Sequence, residues 1–162
     1  MRKLIIAYFI LIFCSCTSSH KKSKREILEE KASYYYKKEI YPEAIDYFSE
    51  LIRIDSTKGE YFIKRGYCNN KSSYLIRALS DYQKAIDLKY DVSGAYLNIA
   101  IIAMQLEKDS IALIYFDKSL HADSTKYQKI QYLVKMCKLN IEMRKSDAWK
   151  DFEEYKKRTK QN

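Results

Sequence analysis

The chain has 162 residues, 47% apolar and 14% aromatic, enough for one ordinary core and one compact domain. Its 3 Gly and 1 Pro exclude a sheet fold built on tight turns and a Gly/Pro-rich disordered chain, while 16 Tyr suit helices packed through amphipathic aromatics. Thirty Lys and Arg against 21 Asp and Glu give a formal charge of +9, which a solvated surface accommodates, which also suits anionic head groups or an acidic partner, and which fits nucleic acid least.

The first element is a leader. Met1, Arg2 and Lys3 give a positive start, Leu4 to Phe13 (LIIAYFILIF) is an unbroken apolar run, and serines and a threonine come after it. Ten residues are too few for a bilayer span, which needs about 20, but they match the apolar core of a secretory signal peptide. The cleavage end, FCSC, resembles a bacterial lipobox, in which a small residue precedes a cysteine that is acylated and becomes the new N-terminus. Ser15 precedes Cys16, whereas bulky Phe13 precedes Cys14, so residues 1–15 are expected to leave and Cys16 to carry the lipid. Phe13 stands where such boxes usually carry Leu, and ordinary cleavage after Ser18 or Ser19 is the alternative. Thr17, next to Cys16, is not the Asp that retains lipoproteins at the inner membrane of enteric bacteria, which favours the outer membrane. Residues 16–24 form a polar tether, and the basic run KKSKR at 21–25 extends past its end.

The other cysteines, Cys68 and Cys137, have no His nearby and do not complete a zinc site. They fall two repeats apart, too far for the ~4.4–6.8 Å Cα separation of a disulfide, and are expected to be buried or half-buried thiols.

Helices are expected near 25–38, 42–54, 59–71, 74–88, 93–106, 109–121, 126–143 and 146–159. Self-similarity organises them. Ala44, Ala78 and Ala112 recur at one constant interval, each followed four residues later by an aromatic, Phe48, Tyr82 and Phe116. Twelve residues before each alanine stands a small residue, Ala32, Gly66 or Ala100, and sixteen before it a large apolar one, Leu28, Phe62 or Tyr96. The connector DSTK at 55–58 returns at 123–126, two intervals on.

These registers resemble the tetratricopeptide repeat, a helix-turn-helix unit of about 34 residues. Copies stand at 25–58, 59–92 and 93–126, with a divergent capping copy at 127–160. The resemblance implies an all-α fold of helix-turn-helix repeats stacked as a short right-handed α-solenoid. Small residues at the eighth and twentieth positions let two helices approach closely, and the aromatics at the fourth and twenty-fourth fill the space beside that contact. Leu51, Ala85 and Ser119, at the twenty-seventh, are expected to meet the next unit. No unit buries its apolar face alone, so stacking makes the core continuous. The family's proline at position 32 is replaced by Ser56, Tyr90 and Ser124, leaving the Asp-Ser-Thr stretches to set helix ends and cap the next helix. In the last copy a two-residue shift aligns Ala148, Phe152 and Tyr155, with Trp149 read as packing.

Catalytic parts are missing from the pattern. His20 and His121 have no Cys or Ser partner, the glycines at 59, 66 and 94 make no phosphate cradle, and adjacent acids such as Glu29-Glu30 diverge by about 100° on a helix. No enzyme activity, cofactor, metal, nucleic acid or small-molecule substrate is expected.

The resemblance implies binding instead, since the family's concave groove is lined by first-helix positions 2, 5, 9 and 12. Carried over, these give Tyr36 in the first unit, Ile63, Tyr67 and Asn70 in the second, Leu97, Ile101 and Met104 in the third, and Lys135 and Lys138 in the fourth, with Glu26, Glu29 and Glu60 at one end and Gln128 and Gln131 at the other. An apolar middle flanked by acid and base suits an extended or helical peptide, although the same stripe could pack against the chain's own ends. A subfamily grips C-terminal carboxylates with Lys and Asn at positions 5 and 9 of its first unit; here those are Glu29 and Ser33, which argues against that mode. The expected protein is a lipid-anchored adaptor facing the periplasm of a bacterial envelope and binding another protein. A fixed subunit of an assembly for outer-membrane proteins or pili, and a secreted soluble module, are the alternatives.

Overall fold

A computed structural model describes residues 22–146 together with 150 and 154. Cys16, the leader, most of the tether and the aromatic positions 149, 152 and 155 lie outside the described residues.

The described residues contain α1 (Lys24–Lys37), α2 (Tyr41–Ile54), α3 (Gly59–Lys71), α4 (Leu75–Asp87), α5 (Val92–Gln105), α6 (Asp109–Ala122), a 3-10 turn (Ser124–Lys126) and α7 (Tyr127–Lys145). Their bounds fall within two residues of the expected ones, and no strand occurs among them. None of these helices is long and apolar enough to cross a membrane. Each helix packs on its neighbours in sequence, and α3 also touches α5, as a stack of helical hairpins requires.

The repeat pattern explains the packing. Ala32 and Ala100 are fully buried, and Gly66 sits so close to α4 that a Cβ there would fall 2.9 Å from the Tyr82 ring. Ala44, Ala78 and Ala112 are fully buried, and Phe48, Tyr82 and Phe116 fill the adjacent space at 2% exposure or less. Burying each such side chain contributes roughly 1.5–3 kcal/mol. The core is continuous but partitioned. One cluster joins Leu28, Phe48 and Leu51 to Tyr61 and Cys68 of the next unit, a second joins Ala78 and Tyr82 to Ala95 and Ile99, and a third joins Phe116 to Ile130 and Cys137. Cys68 and Cys137 are free, fully buried thiols, and burial pushes both up to about 12.

Helix starts follow local chemistry. Ser23 opens α1 with a capping box: its Oγ accepts from Glu26 N at 3.2 Å, and its own N–H donates to Glu26 Oε2 at 2.7 Å. Pro42 lies in the first turn of α2, where its missing donor costs nothing.

The Asp-Ser-Thr stretches end helices as expected, Asp55 and Asp123 being the C-caps of α2 and α6, but the capping of the next helix departs from expectation. The Asp-Ser-Thr stretches cap no following α-helix; Lys58 and Lys126, which precede α3 and α7, make no side-chain cap bond. Instead Asp55 Oδ1 accepts from Thr57 N at 3.0 Å and Thr57 Oγ1 at 2.6 Å, and Asp123 repeats this with Thr125 at the same distances. A short aspartate folds back on its own turn, so the bonds that would cap a helix are already committed. Ser119 is fully buried and bonds within its own unit. Its Oγ donates to Ser93 O at 2.8 Å, and Ser93 Oγ donates to Ser119 O at 2.9 Å.

The turn inside each of the three units is the same device. Glu39, Ser73 and Glu107, one repeat period apart, have φ of 59°, 63° and 57°. The next residue's N–H then reaches back five places, Ile40 to Tyr35 O, Tyr74 to Asn69 O and Lys108 to Ala103 O, at 2.8–3.0 Å. That is a left-handed helix stop usually made with Gly, built here from Glu and Ser.

Candidate binding groove

The first helices α1, α3, α5 and α7 line one side of the stack, and the residues carried over from the repeat pattern lie on them in that order. Tyr36 and Tyr67 are half-buried with ring centres 5.5 Å apart, so they form one aromatic ledge across the seam between the first two units. Two neighbours that the repeat pattern did not mark complete it. The Tyr41 ring, at the start of α2, stands 6.1 Å from Tyr67, and Lys71 Nζ lies 5.4 Å from the Tyr67 ring centre.

Beyond the ledge, half-buried Ile63 packs against the second core cluster, and half-buried Ile101 and Met104 against the third. Leu97 is only 6% exposed, so it supports the floor from beneath rather than presenting a surface. Asn70 Oδ1 is buried and makes no hydrogen bond among the described residues. Lys135 and Lys138 are exposed on α7, one turn apart, where they wall a cleft of about 670 Å³ with Gln128, Gln131, Tyr127 and Tyr132. Val134 lines that cleft and packs in the same cluster as Leu97, Ile101 and Met104, so the apolar floor runs on into it.

The two charged ends are not equivalent, which the order of residue types does not reveal. At the α1 end, a hollow of about 210 Å³ is edged by Glu29, Ser33, Glu60 and Tyr61. Glu29 accepts from the Tyr61 hydroxyl and from Arg25 Nε, the latter at 3.1 Å, and these partners, Tyr61 first, hold its carboxyl below the usual range. Arg25 Nη2 also donates to Tyr61 Oη at 3.0 Å, and Glu60 pairs with Lys64 at 2.5 Å. The acids there are already satisfied within the chain. Lys135 and Lys138 pair with no carboxylate among the described residues.

A separate polar cluster braces the second unit from behind. Arg65 grips Asp81 through Nη2 at 2.6 Å and Nε at 3.0 Å, and its Nη1 donates to Ser49 Oγ at 3.1 Å. Asn69 Nδ2 donates to the same carboxylate at 2.9 Å. At the far end, Arg144 Nη1 lies 2.7 Å from the buried Asp109 carboxylate and donates to Glu107 O at 2.8 Å, pinning α7 to the α5–α6 turn. Both clusters hold helices in place beneath the groove. Among the described residues, no group of three His, Cys, Asp or Glu side chains is placed to hold a metal ion.

No protein-family model matches the sequence, and no curated protein matches it. Solved structures match its shape. The TPR2B-domain–pHsp70 complex of yeast Sti1 aligns with a TM-score of 0.66 at 20% identity, over 72% of this chain and 97% of that one. The first TPR of Spaghetti (RPAP3) bound to the HSP90 peptide SRMEEVD aligns at 0.64 and 20%, over 73% and 93%. The Arabidopsis OM64 TPR domain aligns at 0.63 and 19%, over 70% and 93%. At such identities the likeness concerns the fold alone: an all-α solenoid of the tetratricopeptide type.

Proposed function

We propose that this chain is a protein-interaction adaptor that holds an extended segment of a partner protein in its concave groove and is tethered by a lipid on Cys16 in a bacterial cell envelope, on the periplasmic side. The observation that carries the groove reading is the half-buried stripe Tyr36, Tyr67, Ile63, Ile101 and Met104, which continues across three units on rigid helices. Rings and aliphatic side chains held partly exposed by packing lose little further freedom on binding, so their remaining surface serves a partner at low entropic cost. Two neighbours in fold, the Sti1 and Spaghetti domains, are seen with pHsp70 and with the HSP90 peptide SRMEEVD, which supports a peptide or protein as the ligand class.

The anchoring part rests on sequence: the ten-residue apolar core, the small residue before Cys16 and the polar stretch after it. A bilayer anchor of several acyl chains on one cysteine is sufficient, since stable attachment needs more than a single chain. Absence of Asp after Cys16 favours the outer membrane.

Tyr67→Asp together with Ile101→Asp tests the groove. Loss of partner pull-down with an unchanged circular dichroism spectrum supports it; retained pull-down overturns it. Palmitate labelling and membrane fractionation of Cys16→Ser test the anchor, and a variant that still labels and stays in the membrane rules that site out.

A second reading, a fixed subunit of an envelope assembly, draws on an exposed apolar patch on the second-helix side. Ile76 is 85% exposed beside Tyr74 and Leu106, more open than a free surface usually leaves adjacent apolar side chains. Such a subunit would bury well over ~1,000 Å² and co-purify with its partner at high salt.

A further inference from the structure

We infer that the groove is polarised, and that it selects partner segments in which acidic side chains stand about six residues from an aliphatic or aromatic stretch. This rests on the groove reading above and adds the chemistry of what the groove accepts.

At the α1 end the acids already have partners within the chain: Glu29 accepts from Tyr61 and pairs with Arg25, and Glu60 pairs with Lys64, so a basic ligand group there must compete with Arg25 and Lys64. At the α7 end, Lys135 and Lys138 stand one turn apart on the same face, and like charges so placed repel each other. Neither forms an ion pair with a carboxylate among the described residues. They share their cleft with the amides of Gln128 and Gln131, which can donate to carboxylate oxygens, and with the exposed rings of Tyr127 and Tyr132. An acidic side chain entering this cleft therefore meets unpaired ammonium groups and neutral donors together, without first breaking an internal ion pair.

The spacing follows from the stack. Tyr67 is on α3 and Lys135 on α7, two first-helix steps apart, and neighbouring helix axes lie ~10 Å apart, so the ledge and the lysines are separated by about 20 Å. An extended chain advances roughly 3.3 Å per residue, so about six residues span that distance. The apolar floor between them, Ile101, Met104 and Val134, carries no formal charge, so the intervening residues are read by shape alone.

Recognition of this kind needs side-chain carboxylates and no free chain end. The test is selection of random twelve-residue segments, displayed with both ends joined to carrier protein, on the immobilised full-length chain, on Lys135→Glu/Lys138→Glu and on Tyr67→Asp/Ile101→Asp. The inference expects Asp and Glu to be enriched several-fold at one end of selected segments, about six positions from aliphatic or aromatic residues, and expects Lys135→Glu/Lys138→Glu to switch that enrichment to Lys and Arg. Apolar segments without acid, unchanged by the charge reversal but lost in Tyr67→Asp/Ile101→Asp, would overturn the polarity and leave the groove reading intact. Absence of any enrichment, or enrichment indifferent to Tyr67→Asp/Ile101→Asp, would overturn both.

Discussion

The ring of Tyr36 on α1 stands 5.5 Å from that of Tyr67 on α3, so the ledge at the start of the groove is also part of the joint between two repeat units. Binding surface and inter-unit packing share these atoms. A double-mutant cycle of Tyr36→Leu and Tyr67→Leu, followed by urea unfolding, should return a coupling of about 0.5–1.5 kcal/mol. Coupling indistinguishable from zero would mean that the two rings only lie near each other.

Asp81 is 4% exposed and accepts from Arg65 and Asn69. Asp81→Ala strands a largely covered guanidinium and a buried amide, so it should destabilise the fold by about 3–5 kcal/mol, whereas Asp81→Asn keeps a polar partner and should cost less. Thermal unfolding monitored by circular dichroism ranks the two. Equal and small losses would show that the cluster is solvated rather than structural.

Glu39, Ser73 and Glu107 hold left-handed backbone that costs an ordinary residue about 1–2 kcal/mol. Glycine removes that strain but brings extra unfolded-chain entropy of about 0.5–1 kcal/mol, leaving a net gain of up to ~1.5 kcal/mol per site. The three sites lie in different units, so Glu39→Gly, Ser73→Gly and Glu107→Gly should raise the melting temperature nearly additively, and Ser73→Val should lower it. A melting temperature lowered by all three glycines would contradict the turn geometry.

Burial raises the Cys68 and Cys137 thiols from 9.0 to about 12. The folded state therefore holds protons that the unfolded chain releases. The stability linked to these thiols is fully present below about pH 9 and falls as pH climbs from there towards 12. Urea midpoints should decline across that window, and less steeply in Cys68→Ala than in the parent at matched initial stability. At pH 8, alkylation of either thiol should proceed only as fast as the protein opens.

Much of this architecture was legible because it rests on spacing. Alanines at a constant period, the aromatics four residues after them and the small residues twelve before them report close helix approach directly, and all are buried where that reasoning puts them. What stayed hidden depends on side chains that meet across the stack. The Arg65–Asp81–Asn69 cluster occurs in one unit only and leaves no periodic trace. The hydrogen bond that Glu29 accepts depends on Tyr61, in the next unit, so counting acids at the α1 end did not reveal that this carboxylate already has partners there. The left-handed turns carried no glycine to mark them. Tyr41 joins the ledge from a second helix, outside the first-helix register that located the other groove residues.

Partner capture by the concave face is most directly tested by site-specific photo-crosslinking in intact membranes. A benzophenone side chain is placed at Tyr67 or Met104 in the groove, and at exposed Ile76 or Ile114 on the second helices. Mass spectrometry then identifies the adducts. Capture of the same partner from Tyr67 and Met104, with little from Ile76 and Ile114, is the predicted result. A partner captured only from Ile76 and Ile114 would contradict it and move the interaction to the opposite face.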